Sequence, residues 1–323
     1  MSAREQLFKM KAGVMDILCR IVANAKEFVP EEQILIFSYP RSGSTWVAEL
    51  INKVPRTVIL WEPLHLRNVP EFRELGFGWR QYIPENAAWD EALETFNSLF
   101  KGAYLNHWLS NVAFPLEFYS ADRMIVKFVR ANGLLPWLTM NFDFEKDPIY
   151  LLRHPFAVAA SQMKEGSWDY KFEEYEIPKM PFDEIFRAHA SFLSTLKTKP
   201  EEIVATWCIN NKIVLESERH NSGWVTLYYE SLLLKPEEEL IKLFDRLDME
   251  LPPGIFERLS KASYTTGEAT FQKGIKPQLA KWRTSFDKED ITRMQRVLDY
   301  FGIEVYSKNL LPKSLAHQEK LFD

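Results

Sequence analysis

The chain has 323 residues, of which 46% are hydrophobic, 26% charged and 14% aromatic. This composition excludes intrinsic disorder and fibrous repeats as descriptions of the whole chain. Forty Lys and Arg residues against 45 Asp and Glu residues give a net charge of −5. There is therefore no overall positive field for nucleic acid, and any anion must be bound by a local site.

The sequence also argues against a disulfide framework, a metal site and a membrane span. Two cysteines are too few for a disulfide scaffold, and the six histidines are scattered without metal-ligand spacing. The apolar stretch at 14–23 is interrupted by Asp16 and Arg20 and is too short to cross a bilayer. With no Asn-x-Ser/Thr sequon and no cleavage site after that stretch, we expect a cytoplasmic protein.

The predicted elements alternate between strand and helix. A continuous apolar run predicts the first strand at 33–38, and a helix follows from Ser44. Further strands are predicted at 57–60, 124–129, 148–152 and 224–229, and helices at 155–164, 182–198, 201–219, 236–247 and 287–301. Gly302 is a plausible end for the last helix. The pattern predicts an α/β fold in which a central parallel sheet carries helices on both faces. We interpret residues 1–323 as one domain, with a helical extension at 1–30.

The most informative string is Phe37-Ser-Tyr-Pro-Arg-Ser-Gly-Ser-Thr-Trp46, between the first strand and its helix. Such a loop presents backbone N–H groups at a helix N-terminus, which suits a phosphate. Arg41 adds a permanent bidentate charge, and the loop hydroxyls add donors: Ser42, Ser44 and Thr45. The lysine-containing Walker A pattern is absent, which disfavours ATP or GTP with magnesium. An ordinary strand-to-helix turn explains the string alone equally well.

A second string, Ile149-Tyr-Leu-Leu-Arg-His-Pro-Phe-Ala-Val-Ala-Ala-Ser161, is another strand that turns into a helix. Arg153 stands at the carboxyl end of the strand, where open α/β sheets bind ligands. With Ser161 it provides a second candidate phosphate contact. Two such turns on one sheet predict a ligand that is phosphorylated at two places.

The two strings resemble the sulfotransferases that use 3′-phosphoadenosine 5′-phosphosulfate. Residues 39–46 match the family loop for the 5′-phosphosulfate, and residues 150–161 match the element for the 3′-phosphate. The resemblance covers roughly residues 33–301 and implies a P-loop-like sulfotransferase fold. It also implies an enzyme with this nucleotide as co-substrate and no metal. The donor-binding residues that it implies are Arg41, Ser42, Gly43, Ser44, Thr45, Trp46, Arg153, Ser161, Tyr229, Lys273 and Gly274.

Some positions depart from the cytosolic aryl and steroid branch and are similar to the carbohydrate branch. The loop carries Arg41 instead of Lys, and Val129 stands where the cytosolic branch has its catalytic His. The Glu62-Pro63 pair and the strand with Lys127 and Arg130 are similar to the carbohydrate branch. In the C-terminal segment, Gln272 replaces Arg and the gap from 273 to 282 is longer than usual.

The resemblance implies that a hydroxyl or amine attacks sulfur in line with the departing phosphate oxygen. Arg41 would stabilise the leaving phosphate. Glu62 and His65 follow the second strand, and we favour Glu62 as the base with His65 as the alternative. Glu62 pairing with a neighbouring arginine and a purely structural His65 are the simpler interpretations. Lys127 and Arg130 fit equally as strand-edge charges and as acceptor contacts.

The expected acceptor is a small-molecule or glycan-like hydroxyl or amine. The aromatic segment 79–120 is interpreted as an insertion that shapes the acceptor pocket, although core packing explains it at least as well. Two other functions stay open at this stage: a P-loop nucleotide kinase, and a non-catalytic nucleotide-binding domain. Magnesium dependence separates the first from a sulfotransferase, and nucleotide binding without turnover identifies the second.

Overall fold

Five strands form one parallel sheet in the order β2-β3-β1-β4-β5. The structure is a computed structural model that describes residues 3–165, 172–259 and 274–321. The strands are β1 (Ile34–Ser38), β2 (Thr57–Trp61), β3 (Arg123–Phe128), β4 (Ile149–Leu152) and β5 (Val225–Tyr228). The parallel sheet of the predicted α/β fold is confirmed, and each predicted strand boundary is within one residue of the observed one.

Helices connect the strands and flank the sheet. Before β3 they are α1 (Ala3–Ala25), α2 (Ser44–Ile51), α3 (Pro70–Glu74), α4 (Asp90–Phe100) and α5 (Pro115–Ser120). Between β3 and β5 they are α6 (Leu135–Asn141), α7 (Pro155–Glu165), α8 (Glu184–Arg187), α9 (Ala190–Leu193) and α10 (Lys199–Leu215). After β5 they are α11 (Tyr229–Leu234), α12 (Pro236–Arg246), α13 (Ile255–Leu259), α14 (Ile275–Ala280) and α15 (Lys288–Phe301).

The central position of β1 follows from its composition. All five of its side chains are buried, as are the four of β4, because helices cover both faces of the sheet. β1 lies between β3 and β4, so the connections after β1 and β4 leave toward opposite edges of the sheet. In open α/β sheets, ligands bind at such a switch point, at the carboxyl ends of the strands.

One predicted helix is wrong. The segment 182–198 forms two short helices, α8 and α9, because the chain leaves helical geometry at His189 (φ −108°, ψ 9°). The His189 ring packs on Phe301 and its Nδ1 lies 3.1 Å from the Tyr300 hydroxyl, so tertiary contacts with α15 accompany the break. The predicted end of α15 is confirmed, since Gly302 caps it in the left-handed region at φ 65°.

The aromatic segment 79–120 contains two helices, α4 and the short α5, and α4 is the longer of the two. The apolar face of α4, which is formed by Ala92, Phe96, Leu99 and Phe100, is buried in the core. Part of this segment therefore serves packing, as the simpler interpretation held. Within the described ranges, no helix combines the length and the apolar character that crossing a bilayer requires.

Candidate active site

The loop between β1 and α2 has the backbone of an anion-binding turn. Gly43 begins α2 with φ 98°, in the region that disfavours side chains. A Cβ atom at this position would lie 2.7 Å from two ring atoms of Tyr229, so the close approach also requires glycine. In the described part of the chain, no carbonyl accepts the N–H groups of Gly43, Ser44 and Thr45. These donors are therefore available for an anion at the start of the helix.

A buried hydroxyl in the same loop fits this interpretation. The Ser42 side chain is 1% exposed, and its Oγ has no hydrogen-bond partner among the residues described. Leaving such a group unpaired costs roughly 1–3 kcal/mol, which a ligand oxygen could offset. The loop thus combines unpaired amide and hydroxyl donors, which matches the chemistry of a phosphate.

Arg41 joins the two predicted phosphate motifs. Its backbone lies in the left-handed region at φ 72°, which is strained for a residue with a side chain. Arg153 Nη1 donates to the Arg41 carbonyl oxygen at 2.7 Å, and Arg41 Nε donates to Ser161 Oγ at 3.2 Å. The second motif therefore holds both the backbone and the side chain of the central residue of the first.

Tyr229 forms a wall of the same region. The Arg153 guanidinium lies 4.3 Å from the centre of its ring, and Trp46 packs edge-on to it at 6.2 Å. Gln278 of α14 donates to the Tyr229 hydroxyl at 2.7 Å, which places the helix that begins after Gly274 against the site. The predicted residue Lys273 lies outside the described residues, as does Gln272.

Glu62 follows the end of β2, which lies on the opposite side of β1 from β4 and Arg153. Its backbone is also left-handed, at φ 38°, and its carbonyl oxygen accepts a 3.2 Å hydrogen bond from Trp108 Nε1. Its carboxylate binds two cations, with Oε1 3.0 Å from Lys127 Nζ and Oε2 3.0 Å from an Arg130 nitrogen. The pairing with a neighbouring arginine that the sequence suggested is present, and a lysine adds to it.

This carboxylate is strongly ionised. Burial raises its pKa, but the charges of Lys127 and Arg130 outweigh burial, so the pKa of Glu62 is below its ordinary value of 4.5.

Lys127 is 1% exposed, lies 3.4 Å from the centre of the Trp61 ring and donates to Thr45 Oγ1 at 3.4 Å. Burial lowers the pKa of Lys127, and Glu62 opposes this effect. Lys127 thus connects the loop at Thr45 with the carboxylate at Glu62.

His65 lies one turn beyond Glu62, between two tryptophans. Its ring centre is 4.3 Å from that of Trp108 and 5.1 Å from that of Trp79. Burial, followed by the charge of Arg130, lowers the pKa of His65 below its ordinary value of 6.5. Its Nδ1 is buried and has no hydrogen-bond partner in the described part of the chain. The imidazole is therefore neutral at pH 7 and retains an unshared ring nitrogen.

His154 has a structural role. Its Nδ1 accepts the N–H of Phe156 and so caps α7. Its Nε2 donates to the carbonyl oxygens of Ser307 and Asn309, and its ring stacks on Trp282. Burial lowers the pKa of His154 to about 4, so the ring is neutral.

The structure therefore brings the predicted residues together in two groups on either side of β1. Arg41, Arg153, Ser161 and Tyr229 form one group, and Glu62 and His65 belong to the other. The sequence did not identify Trp79 and Trp108 as neighbours of His65 or Thr45 as a partner of Lys127. The Lys127–Thr45 contact depends on the register of β1 on β3, which pairs Ile36 with Lys127 and which the sequence does not show locally.

Comparison with known families identifies this arrangement. The sequence model described as Sulfotransferase domain matches residues 31–310. The chain belongs to the sulfotransferase domain family. It is accordingly a transferase enzyme, and sulfotransfer is its general activity. No curated protein matches the chain.

Several solved sulfotransferases are similar to this chain. The Sulfotransferase Domain from the Synechococcus PCC 7002 Olefin Synthase is 20% identical, with 87% of this chain and 97% of that chain covered and a TM-score of 0.47. The Sulfotransferase Domain from the Curacin Biosynthetic Pathway is 17% identical, with 85% and 98% covered and a TM-score of 0.45. Mouse sulfotransferase SULT7A1, complexed with PAP, is 13% identical, with 96% and 94% covered and a TM-score of 0.46.

Proposed function

We propose that this sulfotransferase moves the sulfuryl group of 3′-phosphoadenosine 5′-phosphosulfate to a hydroxyl or amine of a small-molecule or glycan-like acceptor. One observation carries the choice of donor: Arg153 and Ser161 both contact Arg41 of the loop. Two anion-binding turns that meet at one residue suit a single nucleotide with phosphates at two positions. A simple nucleoside triphosphate would use only one of them.

In this proposal, the loop amides and the hydroxyls of Ser42, Ser44 and Thr45 hold the 5′-phosphosulfate, together with Arg41. Arg153 and Ser161 hold the 3′-phosphate, and Lys273 and Gly274 belong to the segment that closes over it. The adenine lies near Trp46 and Tyr229, which already pack edge to face. Offset or edge contacts between aromatic rings stabilise such a bound base.

The reaction exchanges one bond to sulfur for another. The acceptor oxygen or nitrogen forms a bond to sulfur while the bond from sulfur to the 5′-phosphate oxygen breaks, and the bonding electrons stay on the departing 3′-phosphoadenosine 5′-phosphate. The acceptor proton passes to the base. Arg41 and the loop donors stabilise the charge that develops on the leaving phosphate.

Glu62 is the base in this proposal, although its two ion pairs make it a weak base in the structure described. The 5′-phosphosulfate would lie close to Thr45, whose hydroxyl contacts Lys127. A negative charge there competes with Glu62 for the lysine and so raises the basicity of the carboxylate. His65 is the alternative base, because its Nδ1 is unpaired and its ring is neutral.

The glycan-like acceptor rests on the carbohydrate-branch features of the chain. Glu62 before Pro63 contacts the Lys127–Arg130 strand end, since it pairs with both cations, and Lys127 also donates to Thr45 of the loop that carries Arg41. These contacts support treating the three sequence features as one functional unit.

The test is transfer from a ³⁵S-labelled donor to a panel of glycans, phenols, amines and acyl carriers, in the presence and absence of a magnesium chelator. We expect labelled product from at least one class, without a requirement for magnesium. Magnesium-dependent phosphate transfer from ATP, with no ³⁵S-labelled product, would favour the kinase. Tight binding of the nucleotide with no product from any class would favour the non-catalytic domain.

A further inference from the structure

Two arginines converge on one half-exposed tryptophan beside the proposed base. The guanidinium carbon of Arg130 lies 5.2 Å, and that of Arg67 6.0 Å, from the centre of the Trp79 ring. Trp79 is 37% exposed, so its indole is accessible from solvent. Guanidinium groups on an aromatic surface are a common way to recognise planar or charged ligands.

Positive charge exceeds negative charge at this place, although the whole chain carries a net charge of −5. Glu62 is one carboxylate for two cations, Lys127 and Arg130. Arg67 is exposed and makes no salt bridge within the part of the chain that the structure describes. Two guanidinium groups against one aromatic ring favour a negatively charged ligand at that ring.

The donor does not account for these cations. Arg67 and Arg130 follow β2 and β3, whereas Arg153, which we assign to the 3′-phosphate, follows β4 on the other side of β1. Neighbouring strands are about 4.8 Å apart, so roughly 10 Å or more separates the ends of β3 and β4. The 5′-phosphosulfate has its own partners in the loop and in Arg41. The donor therefore leaves the arginine pair at Trp79 available for a second anion.

We propose that Arg67 and Arg130 bind an anionic group of the acceptor, and that Trp79 supports the part of the acceptor that carries this group. The acceptor is then a hydroxy or amino compound that is negatively charged before it is sulfated, such as a sugar acid or an aryl carboxylate. This inference rests on the proposed function and narrows its substrate class.

The site also explains how an acceptor charge would assist the reaction. Arg130 binds Glu62 through one nitrogen, 3.0 Å from Oε2, and its guanidinium can turn toward a second carboxylate. An anion there weakens the pull of Arg130 on Glu62 and makes the carboxylate a stronger base. The charge of the acceptor should therefore raise kcat as well as lower KM.

The experiment uses matched probes that differ only in charge. Binding of 4-hydroxyphenylacetate and 4-hydroxyphenylacetamide, and of methyl glucuronide and methyl glucoside, is measured by calorimetry with and without 3′-phosphoadenosine 5′-phosphate. One charge-assisted contact is worth about 1.5–3 kcal/mol, so each anionic probe should bind at least about tenfold more tightly than its neutral partner. Arg67→Gln should remove most of this preference, and Arg67→Lys should keep part of it. Arg293→Gln, on the remote helix α15, is the matched control and should keep all of it.

Equal binding of the charged and neutral probes, or no detectable binding of either anionic probe at millimolar concentration, would overturn the proposal. So would a preference that survives in Arg67→Gln. Where a probe is turned over, the loss in Arg67→Gln should be confined to the anionic member of the pair. Because binding is measured without turnover, failure of this proposal is distinct from failure of the sulfotransfer reaction. The latter is tested by the labelled donor.

Discussion

Arg153 donates a 2.7 Å hydrogen bond to the main-chain carbonyl oxygen of Arg41, across 112 residues of sequence. This contact holds Arg41 in a left-handed backbone conformation that it would otherwise avoid. The same arginine packs on Tyr229, whose ring also closes on Gly43. The donor loop, the second anion motif and the Tyr229 ring are therefore in direct contact. A substitution in one of them should change the geometry of the other two.

The first prediction concerns the donor. If Arg153 and Ser161 bind the 3′-phosphate, 3′-phosphoadenosine 5′-phosphate should bind over a hundredfold more tightly than AMP, because two charge-assisted contacts contribute about 3 kcal/mol or more. Calorimetry measures this directly. Ser161→Ala should reduce the ratio without abolishing AMP binding. Equal affinity for the two nucleotides would contradict the assignment of both residues.

The second prediction concerns the base. Glu62→Gln preserves the shape of the side chain but removes its basicity, so turnover should fall by about 10² to 10⁴ while nucleotide affinity stays near that of the wild type. His65→Ala is the matched control. If His65→Ala abolishes turnover and Glu62→Gln does not, the roles are reversed.

A pH profile distinguishes the same two bases independently. The pKa of Glu62 in the free enzyme is below 4.5, so a Glu62 base predicts that kcat/KM for the donor, which reports the free enzyme, stays flat as the pH falls from 7 toward that value. A His65 base loses activity when the imidazole is protonated, below its ordinary pKa of 6.5. An acid limb in the wild type that disappears in His65→Ala would assign the limb to His65 and count against Glu62.

Whether the sequence could predict a feature of this site depends on how far apart along the chain the contacting residues are. The strands were predictable because their apolar runs are local, and both anion motifs follow strands whose parallel order brings their carboxyl ends together. The Lys127–Glu62 pair depends on the register of β2 against β3, which no local pattern encodes. The break at His189 likewise accompanies contacts with Tyr300 and Phe301, more than 100 residues away.

The third prediction concerns the stability of the fold. His154 has its pKa lowered by burial from 6.5 to about 4, so the unfolded chain binds a proton in this interval and the folded chain does not. The contribution of the neutral ring to the free energy of unfolding is complete above pH 6.5. This contribution falls by as much as about 3 kcal/mol as the pH decreases toward 4. His154→Asn keeps a capping group that does not titrate. Urea unfolding across this range should show a smaller decline in the variant than in the wild type, and parallel curves would contradict the prediction.

The fourth prediction concerns the glycine of the donor loop. Gly43→Ala places a methyl group 2.7 Å from the Tyr229 ring at a φ of 98°, so Tyr229 or the loop must move and nucleotide affinity should fall by at least about tenfold. Gly76→Ala is the matched control, since Gly76 has a φ of 84° with its nearest neighbour atoms at 3.9 Å. Both variants carry backbone strain, but only the first should weaken binding. Equal nucleotide affinities in the two would show that the Tyr229 contact does not shape the donor site.

The last prediction concerns Arg41, which we place against the leaving phosphate. Charge builds on that phosphate as the sulfur–oxygen bond breaks, so Arg41 should stabilise the transition state more than the bound donor. Arg41→Lys keeps the charge and should cause a mild loss. Arg41→Ala should raise the barrier to turnover by roughly 2.7–4 kcal/mol, as for other lost oxyanion contacts. It should change donor affinity less, because the amides of Gly43, Ser44 and Thr45 still hold the phosphate.

Single-turnover kinetics with a nucleotide titration separate the two effects. If saturating donor restores the full rate of Arg41→Ala, Arg41 only tethers the nucleotide, and its contacts with Arg153 and Ser161 serve binding alone.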